Sequence, residues 1–188
     1  MKQIFTCVFL LATLVSIVCQ NCTTRYGYYW RDYRGSIPVD AFNVTSNLYI
    51  AQVLYDSVLI GGYYAGTGAV ITEYEGHRVV VRDTIKFLCN TQRDRFKWVR
   101  QNAYSLKPDF LESMVIGGFE DNVLTYIGRI FHENQWKIGK VFPPPHPLQG
   151  LNVWTENEGR YITPDFEILQ HTGECSFIDN KFVFDEQN

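Results

Sequence analysis

The stretch Thr125-Tyr126-Ile127-Gly128-Arg129 resembles Leu48-Tyr49-Ile50-Ala51-Gln52, 77 residues earlier, and this internal likeness decides how the chain is read. The same offset pairs Gly139 with Gly62. Further on, Glu158-Gly159 matches Glu75-Gly76, and Asp165-Phe166-Glu167-Ile168-Leu169 matches Thr84-Ile85-Lys86-Phe87-Leu88. There the offset has grown to between 81 and 83, absorbed by the longer Phe142-Pro143-Pro144-Pro145-His146-Pro147 loop. Trp30 and Trp98 open the two stretches. The chain therefore divides into a first copy at residues 26–89 and a second at 96–170, joined by the polar run Asn90 to Arg95 and followed by a tail at 171–188.

Within each copy the segments are short and alternate in the strand manner. Tyr49 to Leu54, Arg78 to Val81, Leu124 to Ile130 and Tyr161 to Leu169 are strand candidates, punctuated by Gly61-Gly62, Gly66, Gly68, Gly117-Gly118 and Gly150. No stretch sustains a 3.6-residue apolar period, which argues against long helices. An aromatic content of 15%, with 12 Tyr and 4 Trp, favours strands as well. The fold predicted is all-β: two divergent tandem repeats forming pseudo-symmetric antiparallel β units, with Ser176 to Phe184 as one further strand.

The N-terminus reads as a secretory signal peptide over residues 1–19: Lys2 supplies a positive charge and an apolar run continues from Ile4 to Cys19 with no acid. A membrane span needs about 20 apolar residues, so this run is too short, and no later stretch qualifies. Cleavage removes one lysine and no acid, moving the net charge from -3 to -4. A mildly acidic chain argues against nucleic acid or an anionic membrane as partner. The expected location is extracellular.

Cys7 and Cys19 leave with the leader, so Cys22, Cys89 and Cys175 meet an oxidising compartment. Three thiols make one disulfide and a spare, or a bond to a second chain. Among the three pairings, Cys22 with Cys175 would tie together the ends that lie outside the repeats, leaving Cys89 as a buried free thiol. Asn43-Val44-Thr45 and Asn21-Cys22-Thr23 both fit the N-glycosylation pattern.

The second copy reads Trp98, Ile116-Gly117-Gly118, Tyr126-Ile127-Gly128-Arg129, Gly139-Lys140-Val141, Glu158-Gly159 and Phe166-Glu167-Ile168-Leu169 in order. This order and spacing resemble the DM-nine repeat, a family of invertebrate proteins built from tandem copies. The resemblance implies a β-rich fold that in some members binds mannose and serves pathogen recognition, often as a homodimer; other members are salivary or gut proteins. It also implies a sugar site built from an acid after the glycine-rich turn and the lysine of the Gly-Lys turn. In this sequence the lysine is Lys140, and the acid is Glu120 once a one-residue gap is allowed, with Asp121 at a second acidic position. The first copy has Gln52 in place of the arginine, Tyr63 in place of the lysine and a shortened loop at Asn43 to Asn47, so it has lost the family's site.

Sugar recognition needs charge-assisted hydrogen bonds to vicinal hydroxyls and a flat apolar face for the ring. Lys140 as donor, Glu120 or Asp121 as acceptor, and Trp136 or Phe142 as platform would supply these; the plainer alternative is an exposed ion pair. Arg129, in mid-strand, reads as a structural pairing residue. The histidines, His77, His132, His146 and His171, lack ligand spacing and read as surface or loop residues, so neither a metal nor a cofactor is expected. Glu73 with Glu75, and Glu156 with Glu158, read as solvated strand faces rather than a glycosidase pair. No serine sits in a nucleophile-elbow pattern, and an enzyme is not expected. The function predicted is that of a secreted carbohydrate-binding recognition protein of mannose-lectin type, in immunity or a salivary or gut secretion. The alternative is a non-lectin extracellular interaction or structural protein on the same fold.

Overall fold

A computed structural model describes residues 27–172, and from Tyr28 onward they belong to one compact unit. The signal peptide at 1–19, Asn21, Cys22, Cys175 and the strand suggested for Ser176 to Phe184 lie outside the described residues. The first half holds β1 (Tyr29–Asp32), β2 (Asn43–Thr45), β3 (Leu48–Tyr55), β4 (Val58–Tyr64), β5 (Val70–Tyr74), β6 (His77–Val81) and β7 (Lys86–Cys89). The second holds β8 (Phe96–Asn102), a short helix α1 (Pro108–Leu111), β9 (Ile116–Glu120), β10 (Val123–His132), β11 (Gln135–Phe142), β12 (Gly150–Thr155), β13 (Gly159–Thr163) and β14 (Asp165–His171).

The fold is all-β, and the described strands form one antiparallel hydrogen-bonded network along the path β1-β7-β3-β4-β9-β10-β11-β12-β13. The two β units that the sequence predicts are joined through the backbone at β4 and β9, with Leu59 opposite Phe119. On each side of this junction the strands pair in the same succession. β1 with β7, β3 with β4, β4 with β5, β5 with β6 and β3 with β7 are followed by β8 with β14, β10 with β11, β11 with β12, β12 with β13 and β10 with β14.

Local sequence explains the hairpins. Asp56-Ser57, Glu75-Gly76, Asp121-Asn122 and Glu133-Asn134 all have positive φ at both central positions. That conformation matches the right-handed twist of the flanking strands in a two-residue turn. Two expectations need correction. Tyr161 to Leu169 is two strands, β13 and β14, divided at Pro164, which has no N-H to give a ladder. Gly61-Gly62 and Gly117-Gly118 lie inside β4 and β9 rather than between strands. The reason is close approach: a Cβ on Gly118 would sit 2.1 Å from the Leu59 carbonyl oxygen at the junction.

Each half has its own apolar cluster, around Phe87 and Val70 in the first and around Phe166 and Ile168 in the second. A third cluster combines Tyr28, Ile50 and Leu88 from the first half with Val115, Ile127, Ile138 and Leu169 from the second. Each fully buried aliphatic side chain stabilises by about 1.5–3 kcal/mol, so this shared cluster holds the halves together in addition to the backbone junction.

Candidate functional site

Three strands converge on one ammonium group. Lys140, in mid β11 opposite Ile127 and Asn152, points its Nζ to within 2.6 Å of both carboxylate oxygens of Glu120, the last residue of β9. The Glu73 carboxylate of β5, in the other half, stands 3.3 Å from the same nitrogen. Glu73 is held in turn by the Gly76 N-H at 2.6 Å and by Arg160 of β13 at 3.7 Å. The rings of Tyr74 and Phe142 flank the ammonium, each with its centroid 5.5 Å away.

Lys140 is 1% exposed, and Glu73 and Glu120 are buried beside it. The formal charges of Lys140, Arg160, Glu73 and Glu120 cancel, as such burial requires. Burial pushes the Glu120 carboxyl above the ordinary glutamate range; the Lys140 charge works against that shift and the Glu73 charge adds to it. Solvent meets this cluster at its rim. Asp121 has a 60% exposed side chain in the Asp121-Asn122 turn, 3.6 Å from His146, whose ring stacks on Phe142 at 4.3 Å.

The structure thus brings together Lys140 and Glu120, and sets Asp121 beside them. Trp136 lies elsewhere. It occupies the far end of β11, about 13 Å along the strand by its rise per residue. Its indole covers the Arg129 guanidinium at 4.1 Å, with Trp98 on the opposite side at 4.3 Å, and Phe131 meets its edge. Arg129 itself bonds Glu167 at 2.7 Å.

Glu73 and Arg160 are members that sequence reasoning missed. Read as part of a solvated face with Glu75, Glu73 is 3% exposed, because β5 is covered on both faces. A clue was the apolar Val70-Ile71 start of that strand, which is not strictly alternating. In the first half Tyr63 stands opposite Ile50 as Lys140 stands opposite Ile127. Arg78 and Glu156 meet there at 3.7 Å, Arg78 partly and Glu156 largely exposed, without a lysine between carboxylates. Burial raises the Tyr63 phenol above its ordinary range, with Arg78 opposing and Glu156 adding.

The other predicted positions are dispersed. Asn43, in β2, accepts a hydrogen bond from Arg93 at 3.4 Å. Cys89 is a buried free thiol. His132 stacks on Tyr161 and contacts Glu158, whereas His171 is buried at the end of β14 against Asn90, not on the surface. Among the described residues no group of three or more His, Cys, Asp or Glu is placed to hold a metal ion, and no helix is long and apolar enough to cross a membrane.

The model of a family described as the DM9 repeat matches residues 43–148, more than half of the chain. No curated protein gives a significant match.

Proposed function

This chain belongs to the DM9 repeat family, and on that premise we propose that it is a secreted carbohydrate-binding protein of the mannose-lectin type. In this reading it serves recognition in immunity or in a salivary or gut secretion. The observation that carries the reading is the convergence of Lys140 with Glu120 of its own half and Glu73 of the other. Fixed carboxylates at 2.6 and 3.3 Å from one ammonium form a rigid polar base. Asp121, Arg160 and His146 at its rim then meet the hydroxyls of a pyranose with little reorganisation.

The test is retention of the full chain on mannan and on a glycan array. Retention is expected, weakened by the exposed change Asp121→Asn and lost in Lys140→Met, with circular dichroism reporting whether each variant is folded. No retention on any glycan would sink the reading. Retention indifferent to both changes would take binding away from this cluster.

A second reading, an extracellular protein-interaction module, is favoured by one feature. Leu54, Leu59, Phe119 and Leu124 stand opposite one another in turn across β3, β4, β9 and β10, and three of the four are exposed. Exposed apolar rows of this kind serve protein contacts, homodimers included. A concentration-dependent mass abolished by Phe119→Asp, together with absence of glycan retention, would favour it.

A further inference from the structure

The geometry points to a second saccharide site, in the groove beside the Trp98-Arg129-Trp136 stack, separate from the Lys140 cluster. It rests on the carbohydrate reading for its class of ligand, but on different residues. The groove encloses about 570 Å³ over β8, β10, β11 and β14, and its walls include Arg100, Asn102, Phe131, Trp136, Asp165 and Glu167.

Its base is unusually fixed. The Arg129 guanidinium lies between two indoles, 4.3 and 4.1 Å from their centroids, and its Nε-H is bound to Glu167. Its Nη groups have no hydrogen-bond partner among the described residues, although the side chain is only 16% exposed. One oxygen of Glu167 and one of Asp165 are also without protein donors, the other oxygen of Asp165 being held by Asn102 at 2.8 Å. A planar set of free donors, aromatic-clamped so that little entropy is lost on binding, thus faces two free carboxylate acceptors.

The charge pattern selects the ligand. Arg100 and Arg129 are balanced by Asp165 and Glu167, so neither an anion nor a cation gains net Coulomb energy in the groove. A neutral polyhydroxylated ring suits it, since each hydroxyl both donates and accepts and can use arginine and carboxylate together. Phe131, 59% exposed against the Trp136 edge, gives the apolar wall for the C-H face. The first half supplies an internal contrast. There Leu54 opposite Leu59 replaces Phe131 opposite Trp136, and Gln52 opposite Lys86 replaces Arg129 opposite Glu167. Lys86 is closed onto Asp32 at 2.6 Å and the Gln52 amide is turned to the Gly117 carbonyl, so that groove, although Tyr33 lines it, lacks the Phe131-Trp136 pair and the free fork.

The test follows the Trp136 indole N-H resonance, assigned with Trp136→Phe, while the full chain is titrated with methyl α-mannopyranoside, methyl β-glucopyranoside and N-acetylglucosamine. The expected result is a saturable shift with at least one sugar, retained in Asp121→Asn and weakened by about tenfold or more in Phe131→Ala and Arg129→Lys. Phe131→Ala changes an exposed side chain and keeps the test valid if Arg129→Lys disturbs the stack. Binding abolished by Asp121→Asn and untouched by Phe131→Ala overturns the groove and leaves the Lys140 cluster standing. Binding lost only in the groove variants supports the groove, and the Lys140 cluster is then judged separately by retention on mannan in Asp121→Asn and Lys140→Met. If no sugar moves the indole and no glycan retains the chain, both fall.

Discussion

The Lys140 ammonium lies 2.6 Å from both oxygens of the Glu120 carboxylate, with 1% of its side chain exposed. Removing one member of such a group leaves the other buried and uncompensated, at a cost of about 3–5 kcal/mol. Lys140→Met should therefore lower the unfolding free energy by that amount, read as a lower urea midpoint at unchanged slope. Lys140→Met with Glu120→Gln should recover more than half of the loss. A single variant as stable as the parent would show that the charges are not coupled in this way.

Gly118 fixes the junction between the halves. A methyl group there would lie 2.1 Å from the Leu59 carbonyl oxygen, a backbone atom that cannot rotate away. Gly118→Ala should cost more than about 2 kcal/mol, the range of severe overpacking. Gly66→Ala is the contrast: its Cβ would meet nothing within 4 Å, though its positive φ of 77° keeps a cost of about 1 kcal/mol. Equal thermal shifts for the two variants would contradict the packing argument.

Burial pushes the Cys89 thiol up to about 12, and the Asp40 charge adds to the effect. Only the thiolate attacks alkylating reagents. The native protein should leave Cys89 unmodified by iodoacetamide at pH 8, and the same reagent in urea should alkylate it. Prompt modification of Cys89 under native conditions, located by peptide mass, would refute this.

His171 gives the stability a pH dependence. Burial lowers its pKa, and the Arg95 charge lowers it further. In this case the unfolded chain binds the proton more readily, so the contribution is present above the unfolded value of about 6.5 and is lost as pH falls toward the folded value. Urea midpoints should decline from about pH 6.5 downward. His171→Gln should flatten the first part of that decline, before carboxylates titrate. An unchanged slope in the variant would exclude His171 as its source.

Much of the fold is legible because its determinants are local. The period-two runs around Ile50 and Ile127 specify strands. Asp56-Ser57 and Glu133-Asn134 close hairpins that keep those strands antiparallel, and Pro164 divides β13 from β14. The two glycine pairs in β4 and β9 misled as punctuation, since what they accommodate is another strand and not a turn.

The candidate site was legible only in part. Lys140 and Glu120 belong to one copy, and the family resemblance implied that they serve one site. Glu73 and Arg160 could not be found that way, because they reach the cluster only after β5 and β13 are packed beside it. Strand alternation places Trp136 and Lys140 on one face but says nothing of their neighbours, and the rise of a strand keeps them about 13 Å apart. The sequence by itself determined the all-β class, the hairpins and the recurrence of Tyr-Ile-Gly-Arg-like strands, all set by backbone propensities and side-chain period. The tertiary structure alone decided which charges are buried together and that Arg129 is clamped between Trp98 and Trp136. Those contacts join residues far apart in the chain, and desolvation makes each depend on every other partner being in place.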